Sequence, residues 1–190
     1  VTPTILFVCR ANLCRSPSAE VMCARALGAL HVDAAVASAG MEVVEGQVPP
    51  DDFVELAELR GIDLRAHRPT AFTDELGRAS DLVLTMTREL LRNMVVATPQ
   101  VWPRSFTLLE LVRRGTTTTP PAPGDTLATW VARVHASRDR AELLSADPVD
   151  DLRDPMVEVP ESTTHPNEEM FGALERATRR LARLVAAVSG

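Results

Sequence analysis

One stretch near the start limits what this chain can become: Ile5-Leu6-Phe7-Val8-Cys9-Arg10-Ala11-Asn12-Leu13-Cys14-Arg15-Ser16-Pro17-Ser18-Ala19-Glu20. Thr4 to Cys9 is an apolar run of strand length with no polar alternation, the pattern of a strand buried on both faces. A short loop follows, and then a helix start, since Ser16 suits a helix cap and Pro17 its first turn. Cys9 and Arg15 bound that loop with five residues between them.

Phosphate ester transfer through a thiolate wants this arrangement. A loop between a strand and a helix N-terminus can turn successive backbone N–H groups inward as an anion nest, and the helix end adds partial positive charge. Cys9 at the bottom of the nest would be held as the thiolate, the nucleophilic form. Arg15 can reach back over the loop and grip two phosphoryl oxygens in a fork. Ser16 could donate its hydroxyl to the Cys9 sulfur and help it leave when a phosphoenzyme is hydrolysed. The Gly-rich phosphate loop of nucleotide kinases is a different pattern and does not occur here.

At 190 residues and 45% apolar content the chain suffices for one α/β domain with a sizeable core. Its formal charge of −6 argues against nucleic acid or an acidic membrane as the main partner, so an anion site must be local. Three cysteines, one of them in the strand-to-helix loop, do not make a secreted disulfide framework. The N-terminal apolar run is too short for a signal peptide or a membrane span, so the expectation is a cytoplasmic protein. Four histidines show no metal-ligand spacing, and the chemistry needs neither metal nor other cofactor.

After the first strand, a helix is expected from Ser16 to about Leu30, with Val21, Ala24, Leu27 and Gly28 inward and Cys23 in its packing. Ala34 to Ala39 reads as a second strand, and Pro49-Pro50-Asp51 opens a helix through Arg60 that Gly61 ends. A short helix follows near Thr73 to Gly77. Leu82 to Met86 is a third strand, Arg88 to Val96 a helix, and Ser105 to Leu108 a short fourth strand. Strands separated by helices imply a four-stranded parallel sheet with helices on both faces, and the ligand at the carboxyl ends of the strands. Thr116 to Gly124 reads as an exposed linker, and Asp125 to about Ala146 as one helix with Leu127, Trp130, Val131 and Val134 on one side. Asn167 to Ser189 is a closing amphipathic helix.

Val-Cys-x-x-Asn-x-Cys-Arg-Ser-Pro-x-Ala-Glu resembles the signature of the low-molecular-weight protein tyrosine phosphatases. The resemblance runs from Thr4 to about Val96, from Ser105 to Leu111, and from Leu152 onward. It makes residues 1–190 a single domain with an inserted linker and helix at 115–146. It implies phosphate monoester hydrolysis through a phosphocysteine, on a phosphorylated protein or a small phosphate monoester. The family's general acid precedes a proline shortly before the last helix. Of two Asp-Pro pairs, Leu152-Arg153-Asp154-Pro155 fits that pattern and Asp147-Pro148 does not, which assigns the acid to Asp154. Asp147 then reads as helix-ending punctuation, and Asp150 and Asp151 as a solvated acidic face. In the family, an Asn of the loop is held by a Ser after the second strand and a His before the third. Asn12, Ser38 and His67 occupy those positions.

The chain departs from the family in several places. Ala11 stands where glycine is common, and a positive φ there would cost about 1 kcal/mol. Arg10 adds a cation that either attracts a second anionic group or lies in solvent. Aromatic cleft walls are missing: the matching positions are Val44, Met156 and Val157, and the chain has no tyrosine. Leu13, a bulky aliphatic, goes with phosphotyrosine, whereas the phosphoarginine branch tends to threonine. In relatives a second cysteine, here Cys14, can form a reversible disulfide with the nucleophile; the alternative is a small buried side chain. The rival readings are a small-metabolite phosphatase, a non-catalytic phosphoanion-binding module, and an arsenate reductase, for which further cysteines near the third strand are wanting.

Overall fold

The computed structural model describes residues 2–144, 147–154 and 166–189. Strand β1 (Thr4–Cys9) lies at the centre of a four-stranded sheet of order β2-β1-β3-β4, all pairs parallel. Its partners are β2 (Ala35–Gly40), β3 (Leu82–Thr85) and, next to β3, β4 (Ser105–Thr107). Successive side chains of a strand point to opposite faces, and β1 serves two cores in this way. Ile5, Phe7 and Cys9 belong to one apolar cluster, while Leu6 and Val8 belong to the other. This two-sided burial explains why the β1 sequence shows no alternation.

On the first face pack α1 (Arg15–Ala29), α5 (Leu108–Thr117), α6 (Leu127–Ala136) and α8 (Pro166–Ala186), whose apolar residues share the cluster of Phe7. On the other, Leu91 and Met94 of α4 (Arg88–Ala97) meet Leu6, Val8 and Val83. Short helices α2 (Asp51–Glu58), α3 (Asp74–Ala79) and α7 (Arg140–Leu144) complete the set. Gly61 closes the turn after α2 with φ +70°, where a side chain would be strained. Each fully buried Leu, Ile or Phe contributes roughly 1.5–3 kcal/mol.

Helix α1 differs from the sequence expectation in start and phase. It begins at Arg15, with Cys14 rather than Ser16 at its N-cap. Its inward line is Ala19, Cys23 and Leu27, with Ala24 and Gly28 exposed and Val21 only half-buried. The cause is Ser16, which is fully buried and turned toward Cys9, and this fixes the rotation of the helix behind it.

The single helix expected over 125–146 is two, α6 and α7, joined by a turn at Ser137–Asp139. Arg138 turns inward there, its guanidinium 3.8 Å from the Trp102 ring centroid and 4.0 Å from that of Phe106. It donates to the carbonyls of Ser105 (2.8 Å) and Trp102 (3.0 Å), and Asp139 accepts the Ala141 N–H to start α7. Burial pulls the Arg138 guanidinium down to about 10, so it stays cationic at neutral pH. Thr116 to Gly124 is not wholly an exposed linker either. Its first two residues end α5, an element the sequence pattern did not reveal, and buried Thr119 accepts the Trp130 indole N–H at 2.9 Å. Residues 99–104 form a 3-10 helix that was also not foreseen.

Candidate active site

Cys9 ends β1 opposite Gly40 of β2, at the carboxyl edge of the sheet. The chain on either side of Cys9 is pinned to β2 and β3: Met86 N–H donates to the Val8 carbonyl, and Met41 N–H to that of Cys9. The loop from Arg10 to Cys14 then curls so that the Asn12 backbone N–H points at Cys9 Sγ, at 3.2 Å. From the other side Ser16 Oγ lies 3.0 Å from the same sulfur. Cys9 is 3% exposed, so these two donors act on a sulfur largely out of bulk water.

Asn12 organises the loop. Its backbone takes φ 54°, the left-handed region that Asn tolerates better than most residues. Its side-chain amide donates to Ser16 Oγ and Ser38 Oγ, both at 2.9 Å, and its Oδ1 accepts the Thr70 N–H at 2.8 Å. His67 Nε2 lies 2.7 Å from the Asn12 carbonyl oxygen. The structure therefore brings Asn12, Ser38 and His67 together, although His67 meets the backbone of Asn12 and not its amide. Ala11 does not take positive φ, so the strain considered for it does not arise; Asn12 carries the unusual conformation instead.

Gly40 is a site residue that the sequence pattern did not single out. A Cβ there would stand 2.7 Å from Asn12 N and 2.8 Å from Arg10 O. Only glycine lets the loop lie this close against the end of β2. The available signal was the glycine closing Ser38-Ala39-Gly40 at a strand end.

Arg15 is 3% exposed and spans the mouth of the loop. It donates through Nη1 to the Leu152 carbonyl at 3.1 Å and through Nη2 to the Asp154 carboxylate. Arg15, six positions after Cys9, is thus paired with a carboxylate 139 positions further along the chain. Arg10 is half-exposed and lies 3.8 Å from Glu42 across the surface. Leu13 and Cys14 are buried and pack in the core, whereas Val44 is 56% exposed on the loop after β2. Met156 and Val157 lie outside the described residues. Burial, and then the proximity of Cys9, pushes the Cys14 thiol far up, and all three cysteines are free.

Asp150 and Asp151 are not a solvated face. Asp150 is 1% exposed and receives Arg88 Nη2 at 3.0 Å, Arg113 Nε at 2.9 Å and Arg113 Nη2 at 2.7 Å. Donating to Asp150 holds the Arg113 guanidinium above its usual range. Asp151 accepts the Arg88 backbone N–H at 2.7 Å, and Asp147 accepts the Val149 N–H at 3.0 Å to open a turn of 3-10 helix. Both aspartates lie beside the segment leading to Asp154, where their acceptors organise backbone.

A family model described as low molecular weight phosphotyrosine protein phosphatase matches residues 4–119. The chain belongs to that family. Among its relatives is the probable low molecular weight protein-tyrosine-phosphatase EpsP of Ralstonia solanacearum, 37% identical over 44% of this chain and 54% of the relative. Another is the low molecular weight protein-tyrosine-phosphatase Wzb of Escherichia coli K12, 31% identical over 51% of this chain and 63% of the relative. The chain spans about half the length of the first of these curated relatives. The structure of a low molecular weight protein tyrosine phosphatase from T. tengcongensis superposes with a TM-score of 0.68 at 25% identity, covering 96% of this chain and 99% of that one. A mutant of YwlE from Bacillus subtilis gives 0.67 at 22% identity, covering 96% and 97%. The four-stranded parallel sheet with flanking helices is the fold of this phosphatase family.

A cavity of about 780 Å³ lies at the amino ends of the strands, bordered by Thr2, His31, Asp33 and Asp81, on the edge of the sheet remote from Cys9. Among the described residues no group of three His, Cys, Asp or Glu side chains is placed to hold a metal ion, and no helix is long and apolar enough to cross a membrane.

Proposed function

We propose that this chain is a cysteine-dependent phosphatase that hydrolyses phosphate monoesters through a phosphocysteine, with phosphotyrosine in proteins as its substrate class. One observation carries the reading: Asn12 N–H and Ser16 Oγ both address Cys9 Sγ while Arg15 and Asp154 face each other across the loop mouth. Mere anion binding needs neither the thiol nor the acid. Membership of the phosphatase family and relatives named as protein-tyrosine-phosphatases support the same class. A cytoplasmic location agrees with the three free cysteines.

The Cys9 thiolate attacks phosphorus and the P–O ester bond breaks, with Arg15 gripping two of the phosphoryl oxygens. Protonated Asp154 gives its proton to the departing oxygen. An incoming phosphoryl group displaces the Asp154 carboxylate from Arg15, and the freed carboxylate takes up a proton from solvent before it faces the leaving group. Asp154, now a carboxylate, takes a proton from water as that water attacks phosphorus. The S–P bond breaks, and the Ser16 hydroxyl stabilises the returning thiolate.

The test is phosphate release from phenyl phosphate and a phosphotyrosine peptide in excess chelator, for wild type and Cys9→Ser. Turnover that survives chelation and disappears in Cys9→Ser is expected. Folded wild type that binds phosphate but turns over neither substrate would overturn the reading in favour of a binding module.

A further inference from the structure

Asp154 sits in a stretch with no regular secondary structure, yet a general acid must be held to within a fraction of an ångström. Besides its pairing with Arg15, the chain that carries it is anchored four residues earlier. The Asp150 carboxylate is buried under two guanidinium groups, Arg88 from the first turn of α4 and Arg113 from α5. Arg113 meets it in a two-pronged fork, at 2.9 and 2.7 Å, while Arg88 takes Oδ2 from another side at 3.0 Å. The Asp150 carbonyl accepts Thr107 Oγ1 at 2.8 Å, from the end of β4. Next along, Asp151 accepts the Arg88 N–H, and Leu152 N–H reaches the Met86 carbonyl at 2.7 Å. The Leu152 carbonyl then receives Arg15. Residues 150–152 are thereby tied to α4, α5, β4 and the end of β3, and the last tie is to the guanidinium that faces the substrate.

A buried carboxylate ringed by arginines is costly to assemble, and an apolar side chain would pack there more cheaply. Three charge-assisted bonds do fix direction, which apolar contact does not. We propose that Asp150, clamped by Arg88 and Arg113, is a positioning residue that sets Asp154 for proton transfer to the leaving group. The inference rests on the phosphatase reading above.

Leaving-group dependence separates this role from a general structural one. A general acid matters for a poor leaving group and hardly at all for a good one. The measurement is kcat/KM, which stops at phosphoenzyme formation, for phenyl phosphate and dinitrophenyl phosphate. The proteins are wild type, Asp150→Asn, Arg113→Met, Asp154→Asn and the double variant Asp150→Asn/Asp154→Asn. Arg113 is 43% exposed, so its variant carries the test even where Asp150→Asn folds poorly. The expected result is a loss of about 10- to 100-fold on phenyl phosphate and under about threefold on dinitrophenyl phosphate, for both single clamp variants. Asp150→Asn should add almost nothing in the Asp154→Asn background. Equal losses on both esters, or the same factor lost with and without Asp154, would overturn the clamp while leaving the phosphatase reading intact. Wild type that releases phosphate from neither ester overturns both.

Discussion

Gly40 and Asn12 show how much of the site rests on single backbone positions. Asn12 takes the left-handed conformation and spends its whole amide on Ser16, Ser38 and Thr70, and Gly40 clears the space it needs. Gly40→Ala should shift the loop and lower kcat/KM by about 100-fold, with a stability loss of only about 1–3 kcal/mol. Phosphate release and a urea titration on the same variant check both halves. The cysteines offer a second residue-level test. Burial pushes the Cys23 thiol up to about 12, and burial with the proximity of Cys9 pushes that of Cys14 far up as well. A raised thiol value means the neutral, unreactive S–H persists well above pH 8. Intact-mass spectrometry after iodoacetamide at pH 8 should thus find at most one modification in the folded protein, at Cys9 and blocked by phosphate. Three are expected in denaturant. Labelling of Cys14 in the folded protein would contradict the burial seen here.

Among the elements, α6 and α7 both lie in the stretch between Leu111 and Leu152 that the phosphatase resemblance did not cover. Trp130 of α6 is fully buried beneath Gly115, where a Cβ would lie 2.6 Å from the indole, and Val131 and Val134 join the cluster of β1. Trp130→Ala should cost about 3–5 kcal/mol, with kcat/KM of the folded protein unchanged, because the indole packs under Gly115 of α5 and donates to Thr119. Thermal unfolding and an activity assay at low temperature check this. The turn between α6 and α7 matters for a different reason: the carbonyl of Glu142 in α7 accepts Arg88, the same arginine that binds Asp150. Arg88 therefore links α7 to the segment that leads to Asp154.

Across the whole molecule, the cluster on the α1 face joins residues from β1 to α8 and includes α6 without a break. Both tryptophans, Trp102 and Trp130, lie toward the middle of the chain. We expect one cooperative transition: tryptophan fluorescence and far-UV circular dichroism should give the same midpoint in urea. A fluorescence transition preceding the loss of helix would show that residues 115–146 unfold as a separate unit.

The sequence by itself determined the family resemblance and the local frame. A two-faced apolar run, a six-step span from Cys9 to Arg15 and a helix start are neighbours in the chain, and local sterics and hydrogen bonding decide them. The parallel pairing of the strands followed from helices between strands, whereas their order β2-β1-β3-β4 came only from the structure. Three-dimensional packing decided the rest. Arg15 and Asp154 are 139 positions apart, and their pairing depends on where residues 150–152 are tied. Asp150 looks like a surface acid in the sequence because its two arginine partners, Arg88 and Arg113, come from separate helices. The phase of α1 was set by Ser16 reaching the sulfur, and the break after α6 by Arg138 finding two rings and two carbonyls. Charge and polarity are legible residue by residue, but whether a polar group ends in water or in a fork of arginines depends on partners distant in sequence.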